Sequence, residues 1–275
     1  MTNPAEDAAA LIRSRCNVDG AESAIILGRA FFGVADLGER AAVIPYAELP
    51  GFPVAPGVED GELIVSFIDG APAIFLKGHS TFYETGDPSL MSVPMETLAL
   101  LGARNVLCAG LALSVHADLV PSSILLVTDH INFTGLNPLI GATAGGAAMI
   151  NLNEAYDKRL FRRIKNAAAT AGVSIHEGVM MWFSGPTFET PAEIKVARQL
   201  GADLIGWTVV PEAILARRYG LHFAGVTVIT DFGAGFSGGK SQRGFHARPG
   251  SGGHRRSQTA AADFPQIAMI FAVGG

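Results

Sequence analysis

Between Phe183 and Glu212 two stretches carry side chains whose types and spacing could do chemistry together: Phe-Ser-Gly-Pro-Thr-Phe-Glu-Thr-Pro-Ala-Glu (183–193) and Gly-Trp-Thr-Val-Val-Pro-Glu (206–212). Glu189 is the strongest candidate for a functional acid. It follows Gly185-Pro186-Thr187-Phe188, where a strand should end and a helix begin. Open α/β sheets bind ligands in the crevice outside the carboxyl ends of their strands. A carboxylate there can accept paired hydrogen bonds from the N–H groups along the edge of a purine, with Phe188 as an apolar face for the ring. The plainer reading makes Glu189 a helix-start carboxylate favoured by the macrodipole. Phe188 and Trp207 beside it favour the ligand reading.

The elements that must position these residues follow from pattern and punctuation. Ala5 to Arg15 has helix-forming composition, closed by the Asp19-Gly20 turn. Ser23 to Leu27 is a short apolar run ending at Gly28 and reads as a buried strand. Prolines and glycines from Pro45 to Gly57 mark an irregular connection. Leu63 to Ile68 and Pro72 to Leu76 flank Asp69-Gly70, a hairpin signal. Helices are expected at Met95–Leu101, Asn153–Ala171, Thr190–Leu200 and Pro211–Tyr219. Strands are expected at Val106–Ala109, Ile124–Thr128, Gly178–Phe183, Leu204–Trp207 and Gly225–Thr230. This alternation predicts an α/β fold with a mixed central sheet flanked by helices.

Composition sets the outer bounds. A chain of 275 residues can bury one large core. Apolar residues make up 49% and charged residues 16%, which suits a sheet covered on both faces. A formal net charge of −5 argues against a nucleic-acid surface. No apolar run reaches the roughly 18 residues of a membrane span, and the start lacks the order of a secretory signal. Cys16 and Cys108, far apart, read as reduced thiols of a cytoplasmic protein. Residues 1–240 read as one domain. From Ser241 to Arg256 the chain turns Gly-, Arg-, Ser- and His-rich without an acidic residue. Residues 241–275 therefore read as an atypical tail, either flexible or the product of a displaced reading frame.

Along residues 5 to 240 the order of motifs resembles the trimeric purine nucleoside phosphorylases, a family that includes the methylthioadenosine phosphorylases. Ile44-Pro45-Tyr46-Ala47-Glu48-Leu49-Pro50-Gly51-Phe52-Pro53, Tyr83-Glu84, Thr128-Asp129-His130-Ile131-Asn132, Asn137-Pro138-Leu139, Gly201-Ala202-Asp203 and the Gly206–Glu212 motif carry the likeness. The resemblance implies the nucleoside phosphorylase fold and reversible phosphorolysis of a purine nucleoside. It further implies inorganic phosphate as co-substrate, no metal or organic cofactor, and a homotrimer. In the family's pattern Glu189 would hold the purine N1 edge and Phe188 would pack beside the base. Trp207 would stand near the ribose where Met is usual, with Tyr83 also on the substrate. Asp231 stands where an Asn reads 6-oxopurines; Asp is the version associated with 6-aminopurines.

The phosphate half departs from that pattern. A Gly-Ser-Gly-type loop is here Gly28-Arg29-Ala30-Phe31-Phe32-Gly33, in which Arg29 can bind phosphate by charge. Gly-Arg-x-His-x-Tyr-Glu has become Gly78-His79-Ser80-Thr81-Phe82-Tyr83-Glu84, leaving His79 and Thr81 at the Arg and His positions. A third, Asn-Ala-Ala-Gly-Gly-type loop has become Gly110-Leu111-Ala112-Leu113-Ser114, where Leu111 offers its backbone N–H. Thr208 stands at a phosphate-contacting Ser position, and Val58 where many relatives have His. His246 lacks the surroundings of the family's gating histidine. Two functions fit this pattern: a phosphorylase with an altered anion site, or a pseudoenzyme kept for binding nucleosides or a partner subunit.

Overall fold

The computed structural model describes residues 3–16, 18–54, 61–141 and 149–235, together with Pro265, Ala268, Met269 and Ala272. The chain opens with α1 (Pro4–Cys16), whose first turn carries Glu6 and Asp7 and whose last turn carries Arg13 and Arg15. That charge order opposes the helix dipole favourably. There follow β1 (Ser23–Leu27), a 3₁₀ helix at Arg29–Asp36, β2 (Glu39–Pro45), β3 (Glu62–Ile68) and β4 (Ala71–Lys77). Next come the single turn α2 (Phe82–Thr85), α3 (Ser92–Leu100), β5 (Asn105–Ser114) and β6 (Ile124–Asn132). The last elements are α4 (Lys158–Ala171), β7 (Ile175–Trp182), α5 (Pro191–Gln199), β8 (Leu204–Gly206), α6 (Val210–Arg218) and β9 (His222–Phe232).

The nine strands form one sheet in the order β2-β3-β4-β1-β5-β8-β7-β6-β9, and β9 also pairs with β5. β5, β8, β7, β6 and β9 are therefore closed into a hydrogen-bonded ring, from which β1, β4, β3 and β2 extend as an open wing. The pairings mix both senses, parallel for β1 with β4 and β5 and antiparallel for β5 with β8 and β6 with β9. On one side of the sheet the core gathers Ile12, Ile26, Met95, Val106, Trp182 and Ile214 with α1, α3 and α6. On the other side Ile25, Leu27, Phe31, Leu107, Leu126 and Ile164 pack with the 3₁₀ helix and α4. Ala268 and Ala272, in helical conformation and spaced by four, join this second cluster.

Several boundaries differ from the expectation, each for a local reason. α4 begins at Lys158 and not at Asn153, because the Asp157 side chain accepts the backbone N–H groups of Arg159 and Leu160 and caps the helix there. α3 begins earlier, at Ser92, with Pro94 inside its first turn where no N–H is needed. β5 and β6 run on past their expected ends, to Ser114 and Asn132. β2, with outward Glu39, Arg40 and Ala41, is an edge strand without an apolar run to reveal it. The altered segment Gly110–Ser114, expected as a loop, is the second half of β5. Val58 and residues 241–256, including His246, lie outside the described residues.

Ile26 is fully buried in β1 between Leu76 and Cys108 of its neighbours. Ile26→Ala is expected to cost roughly 2–5 kcal/mol. At this chain length that lowers Tm by roughly 2–4 °C per kcal/mol, measurable by calorimetry.

Candidate functional site

The sheet changes partners at the middle of β5, and a cavity opens there. β1 runs parallel to β5 as far as Leu27 opposite Ala109, where the Gly28 N–H still donates to the Ala109 carbonyl. β8 runs antiparallel from the other end, with Leu204 and Ile205 opposite Ser114 and Leu113. The carboxyl ends of β1 and β8 thus converge on Gly110–Leu113 from opposite directions. The backbone here leaves no room for side chains. A Cβ on Gly110 would lie 2.8 Å from Thr208 Oγ1, and one on Gly206 would lie 2.2 Å from Met180 Cε.

The cavity has a volume of about 280 Å³, close to the lower end of small-molecule sites. Gly28, Arg29 and Phe32 form one wall; Gly78, His79, Thr81, Tyr83 and Glu84, after β4, form the next. β5 supplies the floor from Gly110 to Leu113, and Phe188, Glu189, Gly206, Trp207 and Thr208 close the far side. Of the residues expected from sequence, Arg29, His79, Thr81, Tyr83, Leu111, Phe188, Glu189, Trp207 and Thr208 all line this one space. Asp231 does not. It sits opposite Leu113 across a register shift in β9, and its carboxylate folds back to accept the N–H of Phe232 at 2.8 Å.

Glu189 is 5% exposed. The Trp207 indole N–H donates to its Oε1 at 3.1 Å. Burial pushes the Glu189 carboxyl up, its own backbone N–H and the Trp207 indole pull it back, and the Glu193 charge adds to the rise. Trp207 is itself wedged, 5.4 Å from Phe188 in a tilted contact and 5.6 Å from Tyr83 edge-to-face. Its carbonyl accepts the indole N–H of Trp182 at 3.2 Å. α5 starts cleanly just past Glu189: Glu193 Oε2 accepts the Thr190 N–H at 2.7 Å, and Pro191 stands in the first turn.

Another part of the cavity gathers charged groups and hydroxyls. Arg29, His79 and Glu84 line it; the Thr81 side chain sits in a capping box with Glu84, and the buried hydroxyl Thr208 Oγ1 has no hydrogen-bond partner. A buried polar atom without a partner costs roughly 1–3 kcal/mol, so Thr208 Oγ1 at the cavity wall points to a ligand that would satisfy it. Val209, next to Thr208, is held at φ +77°, a conformation that a β-branched residue avoids at a cost of roughly 1–3 kcal/mol. Glu84 Oε2 accepts the Thr81 N–H at 2.7 Å and fixes that turn.

The family model described as "Phosphorylase superfamily" matches residues 23–256. The chain belongs to that superfamily. Among its relatives it is 35% identical over 215 residues to purine nucleoside phosphorylase 1 of Geobacillus stearothermophilus, covering 77% of this chain and 78% of that protein. It is 36% identical over 237 residues to a purine nucleoside phosphorylase of Mycobacterium leprae, covering 85% of each. A solved structure of isoform 2 of the Schistosoma mansoni purine nucleoside phosphorylase, in complex with cytosine and ribose-1-phosphate, superposes with a TM-score of 0.81. Its identity is 26%, over 98% of this chain and 95% of that one. The nucleoside phosphorylase fold expected from the motifs is therefore the fold of this superfamily member.

One residue escaped the sequence reading as a site component. Glu212 closes the Val-Val-Pro-Glu motif and meets His79 at 2.7 Å; a separation of 133 positions gives sequence periodicity no means of pairing them. Among the described residues, no group of three or more His, Cys, Asp or Glu is placed to hold a metal ion. No helix among them is long and apolar enough to cross a membrane.

Because burial raises the Glu189 carboxyl and the Trp207 N–H holds its ionised form, the indole should report that titration. In a Trp182→Phe background, Trp207 emission is expected to change with a midpoint above 4.5, the ordinary glutamate value. Glu189→Gln should abolish the transition. A midpoint at or below 4.5 would contradict the assignment.

Proposed function

We propose that this protein is a purine nucleoside phosphorylase that converts a purine ribo- or deoxyribonucleoside and inorganic phosphate to free base and the sugar 1-phosphate. The observation that carries the reading is that one small cavity holds both halves of such a site. A buried carboxylate framed by Phe188 and Trp207 lies in one part, and Arg29, His79, Thr81 and the unsatisfied Thr208 hydroxyl lie in another. The named relatives support the same reaction, and they weigh against a role confined to binding.

In this reading a phosphate oxygen attacks the anomeric carbon as the glycosidic C–N bond breaks, and the bonding pair leaves with the purine. Glu189 accepts hydrogen bonds from the purine N–H edge, Phe188 and Trp207 pack on the ring and ribose, and Tyr83 closes over them. Arg29, His79, Thr81, Thr208 and the Leu111 N–H hold the phosphate. Charged hydrogen bonds of this kind contribute roughly 1.5–3 kcal/mol each. Donors fixed in advance around developing charge stabilise a transition state without having to reorganise during the reaction. With Asp231 turned onto its own chain, base selection rests on Glu189. The proposal includes phosphate as co-substrate without metal or organic cofactor, and a cytoplasmic setting in which the buried Cys16 and Cys108 stay reduced.

Release of free base from adenosine, inosine, guanosine and methylthioadenosine should depend on added phosphate, with sugar 1-phosphate seen by phosphorus NMR. Base release that is the same without phosphate, or none from folded protein, would overturn the reading. Glu189→Gln is expected to weaken nucleoside binding by roughly 1–3 kcal/mol, read by calorimetry; Asp231→Asn should leave the substrate ranking unchanged. We also propose a homotrimer, for which light scattering should give a mass three times that of one chain.

A further inference from the structure

The contact between His79 and Glu212 joins the segment after β4 to the first turn of α6. Nε2 of His79 lies 2.7 Å from Oε1 of Glu212, with the two side chains 4% and 2% exposed. At that depth an isolated imidazole would give up its proton, since burial disfavours the cation. Burial does pull His79 down, but the Glu212 charge and hydrogen bond, with the charge of Glu84 added, carry it above its ordinary value.

The other ionisable groups around the pair do not compete for the proton. Cys108 of β5 and Tyr156, which precedes α4, both feel the Glu212 charge, and burial first and Glu212 in addition push both acids up, so they stay neutral. His130, whose Nδ1 lies 3.1 Å from the Tyr156 hydroxyl, is pushed down by burial and stays uncharged. Glu212 Oε2 has no hydrogen-bond partner. The carboxylate therefore has one cationic partner among these neighbours, His79, and that partner lines the cavity beside Arg29 and Thr81. With Nε2 committed to Glu212, Nδ1 is the ring donor left for a ligand.

We propose that Glu212 is a positioning residue that keeps His79 as a buried cation of the phosphate subsite, so that this subsite takes a phosphate-like dianion only while His79 carries its proton. The inference rests on the phosphorolysis reading for the identity of the anion. A guanidinium at this place would stay charged at every working pH; an imidazolium does not. Below the folded-state value of His79 the dianion meets a cation whose charge Glu212 has secured. As pH rises through that value, the same dianion meets a neutral ring backed by an unpaired carboxylate, and affinity falls.

Sulfate is the probe, because it stays a dianion across the range in which phosphate itself titrates. Sulfate binding to the full chain is read by calorimetry from about pH 6 to about pH 9, the span around an ordinary histidine. Wild-type affinity is expected to fall by about tenfold or more across it. In Glu212→Gln the fall should move to lower pH, with affinity at neutral pH reduced by about tenfold. In turnover the same variant should raise KM for phosphate by about tenfold and leave KM for the nucleoside within about threefold.

Folded Glu212→Gln with sulfate affinity within about twofold of wild type at every pH would overturn the proposal. If that variant does not fold, His79→Asn decides. Loss of the pH dependence supports the proposal, and a retained wild-type profile overturns it. Because sulfate binding needs no turnover, an absence of phosphate-dependent base release would sink the phosphorolysis reading and leave this test standing.

Discussion

The middle of β5 is where the rest of the structure is decided. Over Asn105–Ala109 this strand pairs with β1 on one side, and over Leu113–Ser114 with β8, while β9 follows it for its whole length. Between those partners, Gly110 to Ala112 face neither β1 nor β8 along one edge. Backbone groups in the gap must be satisfied by something other than a ladder, by a side chain or a bound ligand. β1 and β8, which lead into two of the cavity's walls, end at this gap. Gly110 helps keep it open, since a Cβ there would strike Thr208 Oγ1, which lines the cavity. The site is a product of register as much as of side-chain choice.

Much of this was legible in the chain. β1, the β3–β4 hairpin and α5 each carry a local signal stronger than its context: a fully buried apolar run, Asp-Gly between alternating strands, a Thr-x-x-Glu box with proline. The gathering of Phe188, Glu189, Trp207 and Thr208 around one cavity was legible too, because they come from two short motifs at the ends of adjacent elements. What was not legible depended on tertiary pairing. Gly110–Ser114 reads as a loop because a strand buried on both faces shows no alternation, and its identity comes from β9 beside it. Asp231 lies next to a register shift between Ala112 and Leu113, which position along the chain does not reveal. The His79–Glu212 contact is a long-range meeting of two motifs, each of which looks complete by itself.

The two ends of the cavity apply one physical rule with opposite results. Burial disfavours charge, so it raises a carboxyl and lowers an imidazole. At Glu189 the neighbours are neutral donors, the Trp207 indole and a backbone N–H, and burial prevails: the carboxyl is shifted up. At His79 the neighbours are carboxylates, and they prevail over burial: the imidazole is also shifted up. Both groups therefore hold protons more tightly than they would in water.

Trp207 links the two ends mechanically. Its carbonyl is held by Trp182 of the core, its ring by Tyr83 and Phe188, and its N–H by Glu189. The next residue, Thr208, points an unpaired hydroxyl at the anion end, and Val209 beyond it stores left-handed strain before α6 begins. Glu212 follows within the first turn of that helix. A single connection of a few residues thus carries the ring contacts, the donor to Glu189, the unpaired Thr208 hydroxyl and the partner of the buried imidazole. Such a segment cannot shift at one of these contacts without disturbing the others. Strained backbone persists only where its surroundings over-determine it, and here the contacts on both sides of Val209 supply that constraint.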